Sequence, residues 1–398
     1  MNPQIEKLYR IAQQKERRIL GLMSGTSLDG LDIALCRVGN SGQETTLYLE
    51  NFNSIPYDAT YRQRIREVFS KRGIDQEVLS GLHASIGKIH GTFINQTLEQ
   101  WRVPASEVDI IASHGQTVYH APQRLTQQAD YPNSTLQIGD GDHIAYTTGI
   151  LTLSDFRQKH VAAGGEGAPL AAYGDYLLFT AEAENRILLN IGGIANFTFL
   201  PKKGSRLKAY ATDIGPGNTM MNQFVWEQFG LEMDEHAEIA QKGKVNAALL
   251  ETLLAAPFLN EDFPKTTGPE LFNLTYLKRA QSISGTALLS AEDLLATLNK
   301  FSAQAIANGI KHASRQLENV HIYVSGGGIH NPLLMKNIRE ALPSIPVSSF
   351  SVLGLDPDAK EACLFAVLAN ETVAGTPYHV QQIKDSPAIC MGKISLPY

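Results

Sequence analysis

Hydrophobic residues near the start of the chain follow a helical period. Ile5, Leu8, Ile11 and Ala12 fall on one face, so residues 1–18 are predicted as an N-terminal helical extension. Beyond Arg18 the pattern changes. Ile19 to Met23 is a short apolar run, Ser24 to Gly30 is rich in turn formers, and Leu31 to Val38 is apolar again. This predicts a strand, a glycine-rich turn and a second strand. A helical stretch follows from about Ala59 to Trp101, broken near Arg72-Gly73-Ile74. Val108 to Ser113 reads as a buried strand ending in His114-Gly115-Gln116-Thr117. Ile150 to Ser154 reads as another, ending in Asp155-Phe156-Arg157.

The pattern then restarts. Arg186 to Asn190 is apolar and strand-like, meets a turn at Gly192-Gly193, and leaves as a second strand from Asn196 to Leu200. The early segment RRILGLMSGTS thus has a counterpart in NRILLNIGGIA, which predicts a structural duplication. The second half continues with Asp213-Ile214-Gly215-Pro216-Gly217-Asn218, a helical region from Ala291 to Leu317, and a strand from His321 to Val324 that ends in Ser325-Gly326-Gly327-Gly328. Asn331-Pro332 opens a helix through Ala341, with proline at a favoured early position. Alternation of strands and helices predicts an α/β architecture.

With 398 residues the chain suits two domains or one two-lobed unit. A formal charge of -6 argues against a sequence-independent grip on nucleic acid, which needs a basic face. No apolar run reaches the roughly 18 residues of a membrane span, and the first twenty residues lack an apolar signal core. The three cysteines, Cys36, Cys363 and Cys390, are far apart and show no zinc spacing. They suit a reducing, cytoplasmic setting, with Cys36 and Cys363 as buried small hydrophobes. The triplets at Asn133 and Asn196 then read as chance matches to a glycosylation signal.

Four glycine-rich turns follow apolar strands: Ser24–Gly30, Gly192–Gly193, Gly215–Gly217 and Gly326–Gly328. Such turns let the backbone approach a ligand and aim N–H groups at phosphate oxygens. Any one of them alone reads equally as a plain tight turn; four across two similar halves point to a nucleotide site. The common nucleotide signatures are missing. Gly81 to Ile89 comes nearest to a P-loop, but the spacing is wrong and no hydroxyl follows Lys88. No dinucleotide fingerprint follows a strand, and Asp155-Phe156-Arg157 lacks the His-Arg-Asp of a protein kinase.

Candidate acids and bases are Asp29, Asp32, Asp155, Asp213 and Glu361. Three of them have a structural alternative. Asp29 suits a turn for conformational reasons, Asp213 reads also as a cap on the following helix, and Glu361 as a favourable charge at a helix start. His114 after a buried strand is a catalyst or a hydrogen-bonding scaffold. No spacing suggests a metal held by protein ligands alone.

The segments Gly21–Asp32, His114–Thr117, Gln137–Asp140, Asp155–Arg157, Ala162–Leu170, Asn190–Asn196, Asp213–Asn218, Ser325–Pro332 and Asp358–Ala366 together resemble the anhydro-N-acetylmuramic acid kinase family, in the family's order and over about Ile19 to Asn370. The resemblance implies an α/β, two-lobed sugar kinase/Hsp70/actin (ribonuclease H-like) fold with ATP in the interlobe cleft. The lobes are expected at 19–157 and 158–398, the tail packing back on the first. It implies conversion of 1,6-anhydro-N-acetylmuramic acid, ATP and water to N-acetylmuramic acid 6-phosphate and ADP, in bacterial murein recycling, by a homodimer using Mg²⁺. Carried over by position, Gly25, Thr26, Ser27, Leu28, Asp29, Gly30, Leu31 and Asp32 match the ATP stretch, and Gly192, Gly193, Gly215, Gly326, Gly327 and Gly328 its further loops. Asp213 matches the general base. His114, Gln116, Thr117, Asp155, Arg157 and Glu361 match the sugar side.

Three departures stand out: the extension through Arg18, Glu166 in place of a family Gln, and Pro269 where an Arg often follows the Lys265–Gly268 stretch. Three other readings stay open here. One is a kinase of the same fold acting on a free sugar hydroxyl. The second is a non-catalytic murein-fragment sensor, for which no helix-turn-helix is evident. The third is a chaperone of the related fold, for which few residues remain.

Overall fold

The computed structural model describes residues 1–126 and 130–398. It divides into two compact units, one made of Met1–Phe179 with Asp358–Tyr398, the other of Thr180–Pro357.

In the first unit, α1 (Pro3–Gln13) starts at Asn2, whose side chain accepts from the Gln4 N–H, and ends well short of Arg18 because β1 (Glu16–Ser24) has already begun. β1 pairs antiparallel with β2 (Gly30–Gly39), and β2 with β3 (Thr46–Pro56). β3 escapes the sequence pattern because it is a half-buried edge strand without clean alternation. Asp58 and Asp75 cap α2 (Ala59–Arg66) and α3 (Gln76–Trp101), which flank the expected break. β4 (Ile110–Ala121) runs parallel to β1. It does not stop at Ser113; the His114–Thr117 motif lies inside it, with Gly115 at φ +74°. After α4 (Gln123–Thr126), β5 (Ser134–Ile138) folds back on β4, followed by α5 (Gly141–Thr148). β6 (Thr152–Ser154) lies parallel to β4 and leads into α6 (Phe156–Ala162) and α7 (Ala171–Phe179).

The second unit opens with a meander of β7 (Asn185–Ile191), β8 (Ile194–Leu200) and β9 (Tyr210–Pro216). Helices α8 (Thr219–Phe229), α9 (Ala247–Leu254) and α10 (Leu274–Ser284) follow. The long α11 (Ala291–Ser314) begins at the Ser290 cap, with Glu292 and Asp293 in its first turn and Lys311 in its last, which complements the helix dipole. β10 (Val320–Ser325), α12 (Pro332–Ala341) and β11 (Val347–Ser349) complete the unit. The chain then returns to the first unit as α13 (Lys360–Ala374) and β12 (Lys393–Ser395), which pairs with β6.

The two sheets share one order. The first runs β12-β6-β4-β1-β2-β3 and the second β11-β10-β7-β8-β9. In each, three antiparallel strands are extended on one side by two parallel ones. That is a ribonuclease H-like sheet built twice, as the repeated strand–turn–strand pattern predicts. Residues 158–179 and the returning segment 358–398 belong to the first unit, and the second spans Thr180–Pro357.

Side-chain alternation explains the packing of β1. Leu20 and Leu22 are fully buried in a core shared with Ile86 and Ile94 of α3, each such side chain contributing about 1.5–3 kcal/mol. Gly21 points the other way. A Cβ there would stand 2.0 Å from the Ala362 carbonyl oxygen, so only glycine lets α13 lie against the strand. Cys36 and Cys363 are buried as expected, their sulfurs 3.5 Å apart. No helix among the described residues is long and apolar enough to cross a membrane.

Candidate active site

In the first unit the turn between β1 and β2 exposes Thr26, Ser27 and Asp29, while Gly30, Leu31 and Asp32 belong to β2. Leu28 and Leu31 are core residues, 3% and 1% exposed, and the Leu28 N–H donates to the Gly25 carbonyl within the turn. Leu28 holds φ +62°, a conformation unusual for a branched side chain. The turn is anchored by polar side chains. Ser24 Oγ donates to Gln116 Oε1 at 2.5 Å, and Gln116 Nε2 donates to the Gly25 carbonyl at 3.1 Å. Asp32 is half-buried, and its carboxyl is pushed above the usual range by burial, eased by a Ser54 hydrogen bond and raised further by Asp358 and Asp29.

His114 is 3% exposed and has both ring nitrogens engaged. Arg157 Nε donates to Nε2 at 2.9 Å, so the ring proton sits on Nδ1 and points at the Ser24 carbonyl, 3.3 Å away. Burial, with Arg157 beside it, holds the imidazole well below its usual pKa, as a neutral scaffold. Arg157 also donates to the Gly167 carbonyl at 2.7 Å, which ties the Ala162–Leu170 loop to this centre. Burial lowers the guanidinium to about 10, and Glu361 works against that. Glu361, in the first turn of α13, has its carboxyl raised chiefly by burial; Arg157 and Lys360 oppose the rise, and Asp32 and Asp175 add to it. Asp175, 3% exposed, fixes the start of α13 by pairing with Lys360 at 2.8 Å.

Asp155 begins α6 at φ +56° without capping it, and its carboxylate pairs closely with Lys393 of β12. Both line a cavity of about 290 Å³ together with His114, Gln137, Asp140 and Ser154. Gln137 Nε2 donates to Thr117 Oγ1 at 3.1 Å, which brings the second of the chain's polar motifs to the same strands. Glu166, the departure in the glycine loop, accepts from Arg124 Nε at 2.8 Å.

In the second unit Asp213 lies inside β9, not at its end, and is half-buried. Its Oδ2 accepts from the Thr267 N–H at 2.9 Å, while its own N–H donates to the Lys265 carbonyl at 3.0 Å. It caps no helix; Asn218 occupies the N-cap of α8. The Gly192–Gly193 turn is fastened by backbone. Gly217 N–H and Thr219 N–H donate to the Gly193 carbonyl, and Asn218 N–H to that of Gly192, at 2.9–3.1 Å. Gly215 is buried against Leu259 and Ala305. Gly326, at φ +83°, and Gly328 pack on Asn190 and Ile191, and Gly327 is open to solvent.

Sequence reasoning missed Ser24, Tyr57, His90, Asp175 and Thr267 as supports. Ser24 and Thr267 stood inside quoted stretches and were within reach. Tyr57 and His90 carry no local signal, since their contacts span about thirty positions.

Two duplicated ribonuclease H-like sheets, each with a glycine turn after its first strand, define the class: an α/β protein of the sugar kinase/Hsp70/actin fold. The family model for anhydro-N-acetylmuramic acid kinase matches residues 17–394. The protein of that name from Pseudoalteromonas atlantica is 54% identical over 400 residues, covering 100% of both chains. Those from Pseudoalteromonas translucida and Caldanaerobacter subterraneus are 51% identical, covering 99% of each chain, and 35% identical, covering 98% of this chain and 100% of theirs. The chain belongs to the anhydro-N-acetylmuramic acid kinase family. The family model starts at 17, so the helical extension lies outside it, although the alignment to the Pseudoalteromonas atlantica relative spans the whole chain.

Proposed function

We propose that this chain performs the reaction its family is named for, converting 1,6-anhydro-N-acetylmuramic acid, ATP and water to N-acetylmuramic acid 6-phosphate and ADP. The observation that carries the mechanism is the fixed carboxylate of Asp213, with one oxygen held by the Thr267 N–H. In the anhydrosugar O6 is bridged to C1 and has no proton to remove. Asp213 therefore takes a proton from water as the water attacks C1. The C1–O6 bond breaks, and O6 attacks the γ-phosphorus of ATP as the bond from that phosphorus to the β,γ-bridging oxygen breaks and ADP leaves. This is the base half of an inverting glycosidase, with the phosphoryl group as the electrophile that receives the leaving oxygen.

The N–H groups of Gly25, Thr26, Ser27 and Asp29 and of Gly192 and Gly193 serve the ATP phosphates, and Gly326 to Gly328 the adenosine side. Arg157, with Glu361, Asp155 and Thr117, serves the sugar; Gln116, fully buried and spent on Ser24 and the Gly25 carbonyl, is a support rather than a sugar contact, and His114 acts by holding Arg157 and the Ser24 carbonyl. Mg²⁺ fits the carboxylates of the first turn. The Asp32 carboxyl is raised first by burial and then by the negative charges of Asp358 and Asp29, against a Ser54 hydrogen bond, and a cation beside it would favour its charged form. Among the described residues no group of three His, Cys, Asp or Glu is placed to hold a metal ion, so Asp32 and Asp29 would orient the hydrated ion that ATP carries. That ion offsets charge on the phosphates. The protein works in the cytoplasm as a homodimer.

Turnover in ¹⁸O-water tests the reading. Label at C1 of the product is expected. A product labelled nowhere, or turnover only with sugars bearing a free hydroxyl, replaces it with ordinary hydroxyl phosphorylation.

A further inference from the structure

Behind the Ser24–Gly30 turn lies a line of buried polar groups that the mechanism leaves unused. Its direction follows from one side chain. Gln116 Nε2 is 3.1 Å from the Gly25 carbonyl and 3.2 Å from that of Thr117. Both are acceptors, so the amide nitrogen faces them and Oε1 is left to accept. Ser24 Oγ, 2.5 Å from Oε1, must donate to it. The lone pairs of Ser24 then face Tyr57 Oη at 2.8 Å, and Tyr57 must donate. That spends the single Tyr57 proton. At 3.1 Å from His90 Nε2 the Tyr57 oxygen can only accept, so His90 carries its proton on Nε2. Tyr61 Oη, 3.2 Å from the same nitrogen, accepts from it as well and gives its own proton to the Tyr57 oxygen, so no hydroxyl is left to donate to a bare Nε2. His90 Nδ1 is left bare, fully buried and without a partner.

Every member is buried: Ser24 and His90 at 1% exposure, Tyr57 at 3% and Gln116 at 0%. None is placed to touch a ligand. Tyr57 nevertheless holds both ends of the turn. Its hydroxyl fixes Ser24 at the entry, and its backbone N–H donates to the Asp29 carbonyl at the exit, at 2.9 Å. A glycine-bearing turn is conformationally permissive, and a satisfied buried line of hydrogen bonds is what rigidifies it.

We propose that Tyr57, oriented by His90, is a positioning residue for the phosphate turn, its ordered line of hydrogen bonds through Ser24 and Gln116 setting how the turn's N–H groups meet ATP. This rests on the reading that the turn binds ATP. His90 and His114 hold opposite neutral tautomers, and both serve the Ser24 corner of the turn.

Tyr57→Phe in the full chain keeps the ring and the backbone staple and removes only the hydroxyl. The expected result is a KM for ATP raised about five- to tenfold, the scale of one lost buried hydrogen bond, with the KM for the anhydrosugar unchanged. A general loss of structure would move both. An ATP KM within twofold of the parent overturns the proposal. Asp32→Asn, assayed alongside, separates the two claims: if it shifts ATP and Tyr57→Phe does not, the positioning role alone falls; if neither shifts ATP, the reading of the turn falls as well. Nitrogen-15 NMR of histidine-labelled parent protein gives a second test that needs no variant. His90 is expected with a protonated Nε2 and a bare Nδ1, and His114 with the reverse. A proton on His90 Nδ1 overturns the direction of the line and the proposal with it.

Discussion

The two glycine turns occupy equivalent places in two sheets of the same order, yet they are held in opposite ways. The turn after β1 is fastened mainly by side chains: Gln116 and His114 of β4 and Tyr57 after β3 converge on Ser24 and Gly25, beside backbone bonds from the Leu28 and Tyr57 N–H groups. The turn after β7 is fastened by backbone, with three N–H groups at the start of α8 donating into its two carbonyls. Duplication preserves a sheet and the position of a turn, because both follow from strand pairing. It does not preserve what secures the turn. A side-chain anchor is adjustable by single substitutions and responds to which atom carries a proton. A backbone anchor has no such adjustment and depends on the absence of side chains: a Cβ on Gly217 would stand 2.3 Å from the Gly192 carbonyl oxygen.

The largest expected effect concerns the base that the backbone-held unit carries. Asp213→Asn keeps the shape and the Thr267 contact but cannot take a proton. Turnover is expected to fall by roughly 10²–10⁴-fold while ATP binding, measured by calorimetry, is retained. Near-parental turnover removes Asp213 from the base role. Next comes a matched pair of alanines. Gly217→Ala forces a methyl into backbone and is expected to cost roughly 1–3 kcal/mol in a denaturant titration. Gly25→Ala meets nothing nearer than Ser27 Oγ at 3.5 Å and is expected to stay within about 1 kcal/mol of the parent. Equal losses at the two positions erase the distinction between the anchors.

The same contrast explains how much was legible in the sequence. Strand–turn–strand units show in periodicity because alternation and turn formers are local, so β1, β2, β7 and β8 and the duplication were readable. β3 was not, since the inward positions of this edge strand are only half-buried and its alternation lapses over the middle five residues. The carboxylates and the arginine of the site stood in recognisable motifs, but their supports did not. Thr267 holds Asp213 across 54 positions, and Tyr57 reaches Ser24 across 33. Neither partner announces itself locally. The role of His114 was open between scaffold and catalyst; an arginine donating to one nitrogen and a carbonyl facing the other make it a scaffold. Leu28 and Leu31 matched the ATP stretch by position, yet their side chains belong to the core.

The smallest expected effect tests the electrostatics of the side-chain-held unit. Glu361 has a carboxyl raised above its ordinary 4.5, chiefly by burial, with Arg157 and Lys360 only partly offsetting this. The folded state therefore holds that proton more tightly than the unfolded chain does. The stability this contributes is complete below the ordinary carboxylate range and is lost as pH rises through the raised value. Glutamine at the same position has no such loss, and Arg157 stays charged in both proteins across this window, its own value being about 10. Melting temperatures of Glu361→Gln and the parent, taken as a difference at each pH, should thus shift in favour of the variant as pH rises from below 4.5 toward neutrality, then level off. The absolute sign of the difference is set by what Arg157 loses with its partner; the slope is set by the Glu361 carboxyl together with the Asp32 and Asp175 charges that act on it. A slope of the opposite sign means that Arg157 and Lys360 outweigh burial at this carboxylate, and that the first unit secures its charged residues as firmly as the second secures its turn.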